Sequence, residues 1–305
     1  MINEYVNKLI DNLPLEFKNL EEPLIVDLVL DGGVFNGSYL IGALYFLKEM
    51  EKRNYIKVDR ISGCSIGSVV GFLYFIDSLD LMIKLYDTFN NSFRKNYSLE
   101  IIKDLKGLLN DKIPKDICKT VNNRLFICYN NIKLGSKKVK SIYKDTDEII
   151  NTIIRSCFIP YLIDGNICYE NKHIDGINPY IFALEPGKKI LYLDLFGYDK
   201  IGNLLNVKNE KTNFHRVLSG LLDIHTFFIK QSTTQMCSFV NDWNINNRIF
   251  NYIKLLFEKI CMFLIYTLIY VKKIIPVEFE DTVIYKIFTK ILKESFIIIL
   301  ESYCL

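Results

Sequence analysis

Two glycines flank Ser65 at a distance of two residues, in Gly63-Cys64-Ser65-Ile66-Gly67, and no other stretch narrows the fold as much. The spacing is that of a nucleophile elbow, a tight strand-to-helix turn that holds a serine oxygen at the start of a helix. In such a turn the serine takes a strained backbone conformation. A side chain two residues before or after it would collide with the neighbouring strand or helix. Ser65 is therefore expected to stand exposed. The helix behind it adds backbone N–H groups and a positive dipole end, both suited to the oxyanion that forms when a carbonyl is attacked. Ordinary glycine-bounded turns share the pattern, so the surrounding elements have to decide.

Upstream, Leu24–Leu30 is a nearly continuous apolar run of strand length, as in a strand covered on both faces. It ends in Asp31-Gly32-Gly33-Val34-Phe35-Asn36-Gly37. Residues 38–50 place Leu40, Ile41, Leu44, Phe46 and Leu47 at the spacing of a buried helix. A short strand at 57–61 leads into the elbow, and 65–76 forms the helix behind it. This βαβα order implies a parallel sheet with right-handed crossovers. Residues 79–123 read as an inserted helical segment. Strand character returns at 124–130 and 137–143, with Leu134-Gly135-Ser136 turning between them like a hairpin. A helix over 145–157 closes near Pro160, and extended pieces lead into His173-Ile174-Asp175-Gly176-Ile177-Asn178-Pro179. Residues 189–196 form a further strand, and only helical stretches are expected beyond Asn213. The chain divides accordingly into an N-terminal helix and connection (1–23), an α/β domain (24–212) and a helical C-terminal region (213–305).

A chain of 305 residues with 50% hydrophobic and 24% charged residues can bury a real core. Its formal charge of +3 argues against nucleic acid as a partner. Basic residues gather between Arg94 and Lys140, as a solvated face or as an attraction to anionic membrane. Eight cysteines without a C-x-x-C pair, several inside apolar runs, point to buried free thiols in a reducing compartment and against a zinc site. The N-terminus has no basic stretch followed by an apolar one, so no secretory signal is expected and the protein is read as intracellular. The most apolar segment, 260–271, makes about 18 Å of helix, short of the roughly 30 Å hydrocarbon core. Extending it back toward 249 brings in Lys254, Glu258 and Lys259. A transmembrane span near 249–271 is not favoured, and a buried core helix and an interfacial helix both stay open.

A glycine loop after the first strand, a serine elbow after the second and an Asp-Gly far downstream together resemble the patatin-like phospholipase family. The matching pieces are Asp31-Gly32-Gly33-Val34-Phe35-Asn36-Gly37, Gly63-Cys64-Ser65-Ile66-Gly67 and Asp175-Gly176. Arg155-Ser156-Cys157-Phe158-Ile159-Pro160 looks like the family's helix end and proline turn, and Asn178-Pro179 like the segment after its aspartate. The resemblance covers roughly residues 24–200. It implies a three-layer α/β/α fold with a mainly parallel central sheet, and a lipid acyl hydrolase of the phospholipase A kind that needs no cofactor or metal. Ser65 would be the nucleophile and Asp175 the general base. Backbone N–H groups of Gly32, Gly33, Val34 and Ile66 would form the oxyanion hole, with Gly37, Gly63, Gly67 and Gly176 as structural positions of the motifs. The implied partners are a phospholipid or other acyl-ester lipid and a membrane surface met peripherally. Val34, Asn36 and Ile177 depart from the family pattern, which has glycine at the first and last of these and Arg or Lys at the second. A catalytically inactive membrane- or protein-binding relative is the alternative.

The glycines also have other readings. Gly32-Gly33 suits a phosphate loop, but G-x-G-x-x-G and a Walker lysine are both absent. The histidines are His173, His215 and His225. Because the last two follow Asp175, a Ser-Asp-His order is compatible with the chain, although the elbow comes early for an α/β-hydrolase.

Overall fold

The structure, a computed structural model, describes residues 2–18, 21–109, 112–197, 200–208 and 210–304. Met1, Asn19 and Leu20, within the expected N-terminal helix and connection, lie outside the described residues. Helices α1 (Ile2–Asp11) and α2 (Leu15–Lys18) precede β1 (Leu24–Leu30). A 3-10 turn over Val34–Asn36 opens α3 (Gly37–Lys52), followed by β2 (Ile56–Cys64) and α4 (Ile66–Phe75). The inserted segment holds α5 (Leu81–Asn96), α6 (Leu105–Leu109) and α7 (Ile117–Val121). Then come β3 (Leu125–Asn131), β4 (Ser136–Lys140), α8 (Thr146–Ser156), β5 (His173–Asp175) and β6 (Lys188–Leu193). The chain continues through α9 (Phe214–Lys230), β7 (Cys237–Phe239), α10 (Ile245–Ile274), α11 (Val277–Glu280) and α12 (Val283–Tyr303).

The strands form one sheet in the order β4-β3-β2-β1-β6-β7, with β5 also paired to β3. The four central strands, β3, β2, β1 and β6, run parallel, while β4, β5 and β7 are antiparallel to their neighbours. β1 is central because six of its seven residues are apolar and its one charge, Asp27, is buried and paired with Arg60. Leu28 and Leu30 join the larger core with α3, α4, α8 and α9 on one side of the sheet, and Val29 packs with Ile190, Tyr192 and Phe182 on the other. That second face is closed by Trp243 and the start of α10, which completes the three layers. The fold is the expected three-layer α/β/α arrangement around a mainly parallel sheet, and the 124–143 segment is the expected hairpin.

Two features differ from expectation. A strand does occur beyond Asn213: Cys237–Phe239 pairs with β6, and α9 packs along α3 as part of the core. At three residues β7 is too short to show a period, and its pairing comes from the exposed edge of β6 and not from its own pattern. The run 260–271 lies within α10 and none of it is buried, which removes the core-helix reading. Phe257, Ile260, Phe263 and Leu264 are all exposed, as are Ile284, Phe288 and Ile298 of α12. Among the described residues no helix is long and apolar enough to cross a membrane. The eight cysteines are free thiols.

Candidate active site

The register of the sheet brings Ser65 and Asp175 together. β2 pairs with β3 as far as Cys64 opposite Cys128, and the next residue of β3, Tyr129, pairs with Asp175 of β5. Since β4 occupies the other edge of β3 over the same residues, β2 and β5 lie end to end along one edge. Both strands end at the junction between them: β2 runs into the elbow there, and Asp175, the last residue of β5, arrives at the same point from the other side.

Ser65 sits at φ 49°, ψ −131°, the strained conformation expected of an elbow, which costs on the order of 1–3 kcal/mol. Close packing accounts for its two glycines. A Cβ on Gly63 would lie 2.6 Å from the Gly67 backbone, and one on Gly67 would lie 2.5 Å from the Leu30 carbonyl oxygen. Ser156, at the end of α8, acts as a clamp. Its Oγ accepts from the Ser65 N–H at 2.9 Å and donates to the Cys128 carbonyl at 2.6 Å. Two residues on, the Phe158 carbonyl accepts from the Asp175 N–H at 2.9 Å. The helix end thus braces Ser65 and Asp175 alike. The Cys64 thiol adds a contact to the Ile177 carbonyl at 3.3 Å. Gly176 lies against the Cys128 carbonyl, and Gly37 against Ile66.

Ser65 does not stand exposed as the turn alone suggests: it is 6% exposed and Asp175 8%. The wall over it is apolar. A cavity of about 50 Å³ adjoins Ser65, lined in part by Val34, Met82, Phe89, Leu99 and Ile163. These come largely from the helical segment inserted between α4 and β3. Burial pushes the Asp175 carboxyl up to about 6, against the opposing pull of the Ser65 hydroxyl, the Ile177 N–H and Lys137; Glu258 adds to the rise. Asp175 Oδ1 accepts from the Ile177 N–H at 2.7 Å. Its Oδ2 is buried without a hydrogen-bond partner among the described residues. The Ser65 hydroxyl is close enough to act on this carboxylate yet falls short of a formed hydrogen bond, as is common in resting sites.

The glycine loop lies against Ser65: a Cβ on Gly32 would come within 3.2 Å of Ser65 Cβ. Its N–H groups are not equivalent. That of Gly32 donates to Asp31 Oδ1 at 3.0 Å, so Gly32 differs from the expected oxyanion role. Those of Gly33, Val34 and Ile66 have no acceptor among the described residues. Val34 and Ile177, which stand where the family has glycine, both take left-handed backbone, at φ 44° and 59°. Asn36 replaces a basic residue and draws one in from elsewhere. It donates to the Leu195 and Lys200 carbonyls at 3.3 and 2.9 Å, and its Oδ1 accepts from the fully buried Arg216 of α9 at 2.7 Å.

The histidines fall outside this arrangement. His225 packs edge-on against Phe46 in the α3–α9 interface, and His215 is exposed beside Glu210 at 3.2 Å. His173 is buried against Tyr129, and burial together with Arg155 lowers its pKa to about 4. None of them lines the cavity at Ser65. Among the described residues no group of three His, Cys, Asp or Glu could hold a metal ion.

Residues that sequence reasoning leaves out complete the surroundings. Asn130 donates to the Asp175 carbonyl at 3.0 Å. Lys254 and Glu258 of α10 reach Asp31 and Asn178 at 2.6 and 2.8 Å. Their signal in the sequence is two opposite charges four residues apart in an otherwise apolar stretch, which also reads as ordinary surface pairing.

The serine elbow, the glycine loop and the aspartate thus lie together at one end of the parallel strands of an α/β/α sheet. Residues 28–179, from β1 to the turn after Asp175, match the family model described as Patatin-like phospholipase, and the chain belongs to the patatin-like phospholipase family. Two relatives from Mus musculus are similar to it. Omega-hydroxyceramide transacylase is 23% identical over 136 residues, which is 42% of this chain and 23% of the relative. The 1-acylglycerol-3-phosphate O-acyltransferase Pnpla3 is 24% identical over 194 residues, 60% of this chain and 46% of the relative. The chain thus spans less than half the length of either relative.

Proposed function

We propose that this protein is a lipid acyl hydrolase that cleaves carboxylic esters through a Ser65–Asp175 dyad. The observation that carries this reading is the end-to-end placement of β2 and β5 on β3, which sets a buried carboxylate beside a strained serine. Ser65 Oγ attacks the ester carbonyl while Asp175 takes its proton. The oxyanion is held by the free N–H groups of Gly33, Val34 and Ile66. Asp175 then returns the proton to the departing alcohol, leaving an acyl-enzyme on Ser65. Water attacks in the second half, giving a proton to Asp175, which passes it to Ser65 Oγ as the Oγ–acyl bond breaks and the free acid leaves. A carboxyl raised to about 6 suits both roles, being ionised at neutral pH yet basic enough to accept a proton.

The apolar cavity beside Ser65 supports an acyl chain as the bound part of the substrate. At about 50 Å³ it admits only its first atoms unless the 81–109 segment shifts. The exposed apolar side chains of α10 and α12, followed on α10 by Lys272 and Lys273, support docking on a lipid surface with the cations at phosphate level. A second reading draws on the dryness of the site. With Ser65 and Asp175 both over nine-tenths buried, an alcohol bound in place of water would receive the acyl group, in keeping with the relatives' names.

The test is labelling with a fluorophosphonate, with ester hydrolysis measured in parallel. The folded wild-type protein should label at Ser65 and hydrolyse a short-chain ester, and Ser65→Ala should do neither. Hydrolysis at the wild-type rate by folded Ser65→Ala would sink the assignment. A wild-type protein that neither labels nor hydrolyses would favour the inactive binding module.

A further inference from the structure

α10 is 30 residues long, and its only buried side chains are Lys254 and Glu258. A helix that exposes Phe257, Ile260, Phe263 and Leu264 while burying a lysine and a glutamate inverts the usual arrangement. Burying a charge is costly unless it is fully paired, and both of these are. Lys254 Nζ donates to Asp31 Oδ2 at 2.6 Å, to Asp194 Oδ1 at 3.0 Å and to the Tyr192 hydroxyl at 3.2 Å, one acceptor for each of its three protons. Glu258 accepts from Lys137 at 2.8 Å, from Asn178 Nδ2 at 2.8 Å and from Asn130 Nδ2 at 3.4 Å.

These partners are the supports of the two halves of the site. Asp31 opens the glycine loop, and its other oxygen takes the Gly32 N–H, which turns the free N–H groups that follow. Asn130 holds the Asp175 carbonyl, and Asn178 lies in the turn after it while also donating to the Lys254 carbonyl at 3.1 Å. One turn of one helix therefore touches both the loop and the base turn.

We infer that Lys254 and Glu258 are positioning residues. Lys254 sets the Asp31-Gly32-Gly33 loop and Glu258 sets the Asp175 turn, so that α10 is a built part of the active site. The inference rests on the Ser65–Asp175 reading for its catalytic consequence, but the positioning itself is readable without catalysis. The charged groups that act on Asp175 are Lys137 and Glu258, with the Cys64 and Cys157 thiols also near it. Because Glu258 raises the Asp175 carboxyl and Lys137 lowers it, neutralising Glu258 moves the acid limb of activity to lower pH.

The experiment compares the 305-residue wild type, Lys254→Met and Glu258→Gln, with Lys254→Gln in reserve if Lys254→Met does not fold. Kinetics on p-nitrophenyl butyrate are measured between pH 4.5 and 9, and hydrogen exchange is followed at residues 31–36 and 175–178. Lys254→Met should lower kcat by about 10- to 100-fold with little change in KM, and should speed exchange at 31–36. Glu258→Gln should shift the acid limb downward and speed exchange at 175–178. Folded variants with wild-type exchange in both segments, or with kcat and pH profile unchanged, would overturn the inference. A wild-type protein that neither hydrolyses the ester nor labels at Ser65, yet shows the segment-specific exchange changes, would uphold the positioning and reject the dyad reading instead.

Discussion

Replacing Asp175 by asparagine should make the protein more stable and inactive at once, and the size of the gain follows from the site. The Asp175 carboxyl is raised from 3.8 to about 6, chiefly by burial. A raised carboxyl pKa means that the folded state binds the proton more tightly than the unfolded chain. Stability from this group is then greatest below pH 3.8, falls as pH climbs from 3.8 to about 6, and stays at its lower level above that. The shift of roughly two pKa units at 1.36 kcal/mol each amounts to about 3 kcal/mol at pH 7. Asparagine keeps the shape and an oxygen to accept the Ile177 N–H, now at 2.7 Å, but carries no charge to desolvate. Urea unfolding of wild type and Asp175→Asn at pH 7, 5 and 4 measures the difference. The mutant should be more stable by about 2–3 kcal/mol at pH 7, by less at pH 5, and by almost nothing at pH 4. Asp31 is also raised to about 6, by burial opposed by Lys254, so it titrates in the same window. Its contribution is common to both proteins and drops out of the comparison. A mutant that is no more stable than wild type at pH 7, or a gain that persists unchanged at pH 4, would refute the claim that Asp175 is held charged at a cost.

Three further outcomes follow from the arrangement. His215→Ala and His225→Ala should each keep most ester hydrolysis, since neither lines the cavity at Ser65; a loss of several orders of magnitude in a folded mutant would restore the triad. Ile177→Gly should change stability by no more than about 1 kcal/mol, because relief of left-handed strain of about 1–2 kcal/mol offsets glycine's entropy and lost packing; a melt showing a loss above about 3 kcal/mol would mean that the φ of 59° is not strained. Phe263→Asp with Leu264→Asp should leave the melting temperature and soluble-ester hydrolysis intact, because both side chains are exposed. It should weaken sedimentation with anionic phospholipid vesicles at least severalfold, and undiminished vesicle binding would rule out this face as the contact.

The parts of the fold legible in the sequence are those whose signal is local. β1 is visible as an apolar run broken only by Asp27, the elbow as a glycine spacing imposed by backbone contacts, and the β3–β4 hairpin as two extended pieces around Gly135. What sequence reading cannot reach is register. Nothing in His173-Ile174-Asp175 says that it continues the edge of β3 where β2 stops, yet that pairing is what sets the carboxylate beside Ser65. The same limit hides the partners of the glycine loop, and these answer a question the sequence raises. A β-branched residue at φ 44° persists only where its surroundings over-determine it, and the loop around Val34 is fixed at both ends. Asp31 is held by Lys254, Tyr192 and the Leu195 N–H. Asn36 is held by Arg216 and by the Leu195 and Lys200 carbonyls. Between two such anchors the chain has little freedom to relax Val34, so the N–H groups of Gly33 and Val34 stay without an acceptor among the described residues despite the side chain. The anchors come from β6, α9 and α10, all beyond Asp175, which is why the span carrying the motifs does not by itself explain how a loop short of one glycine keeps its shape.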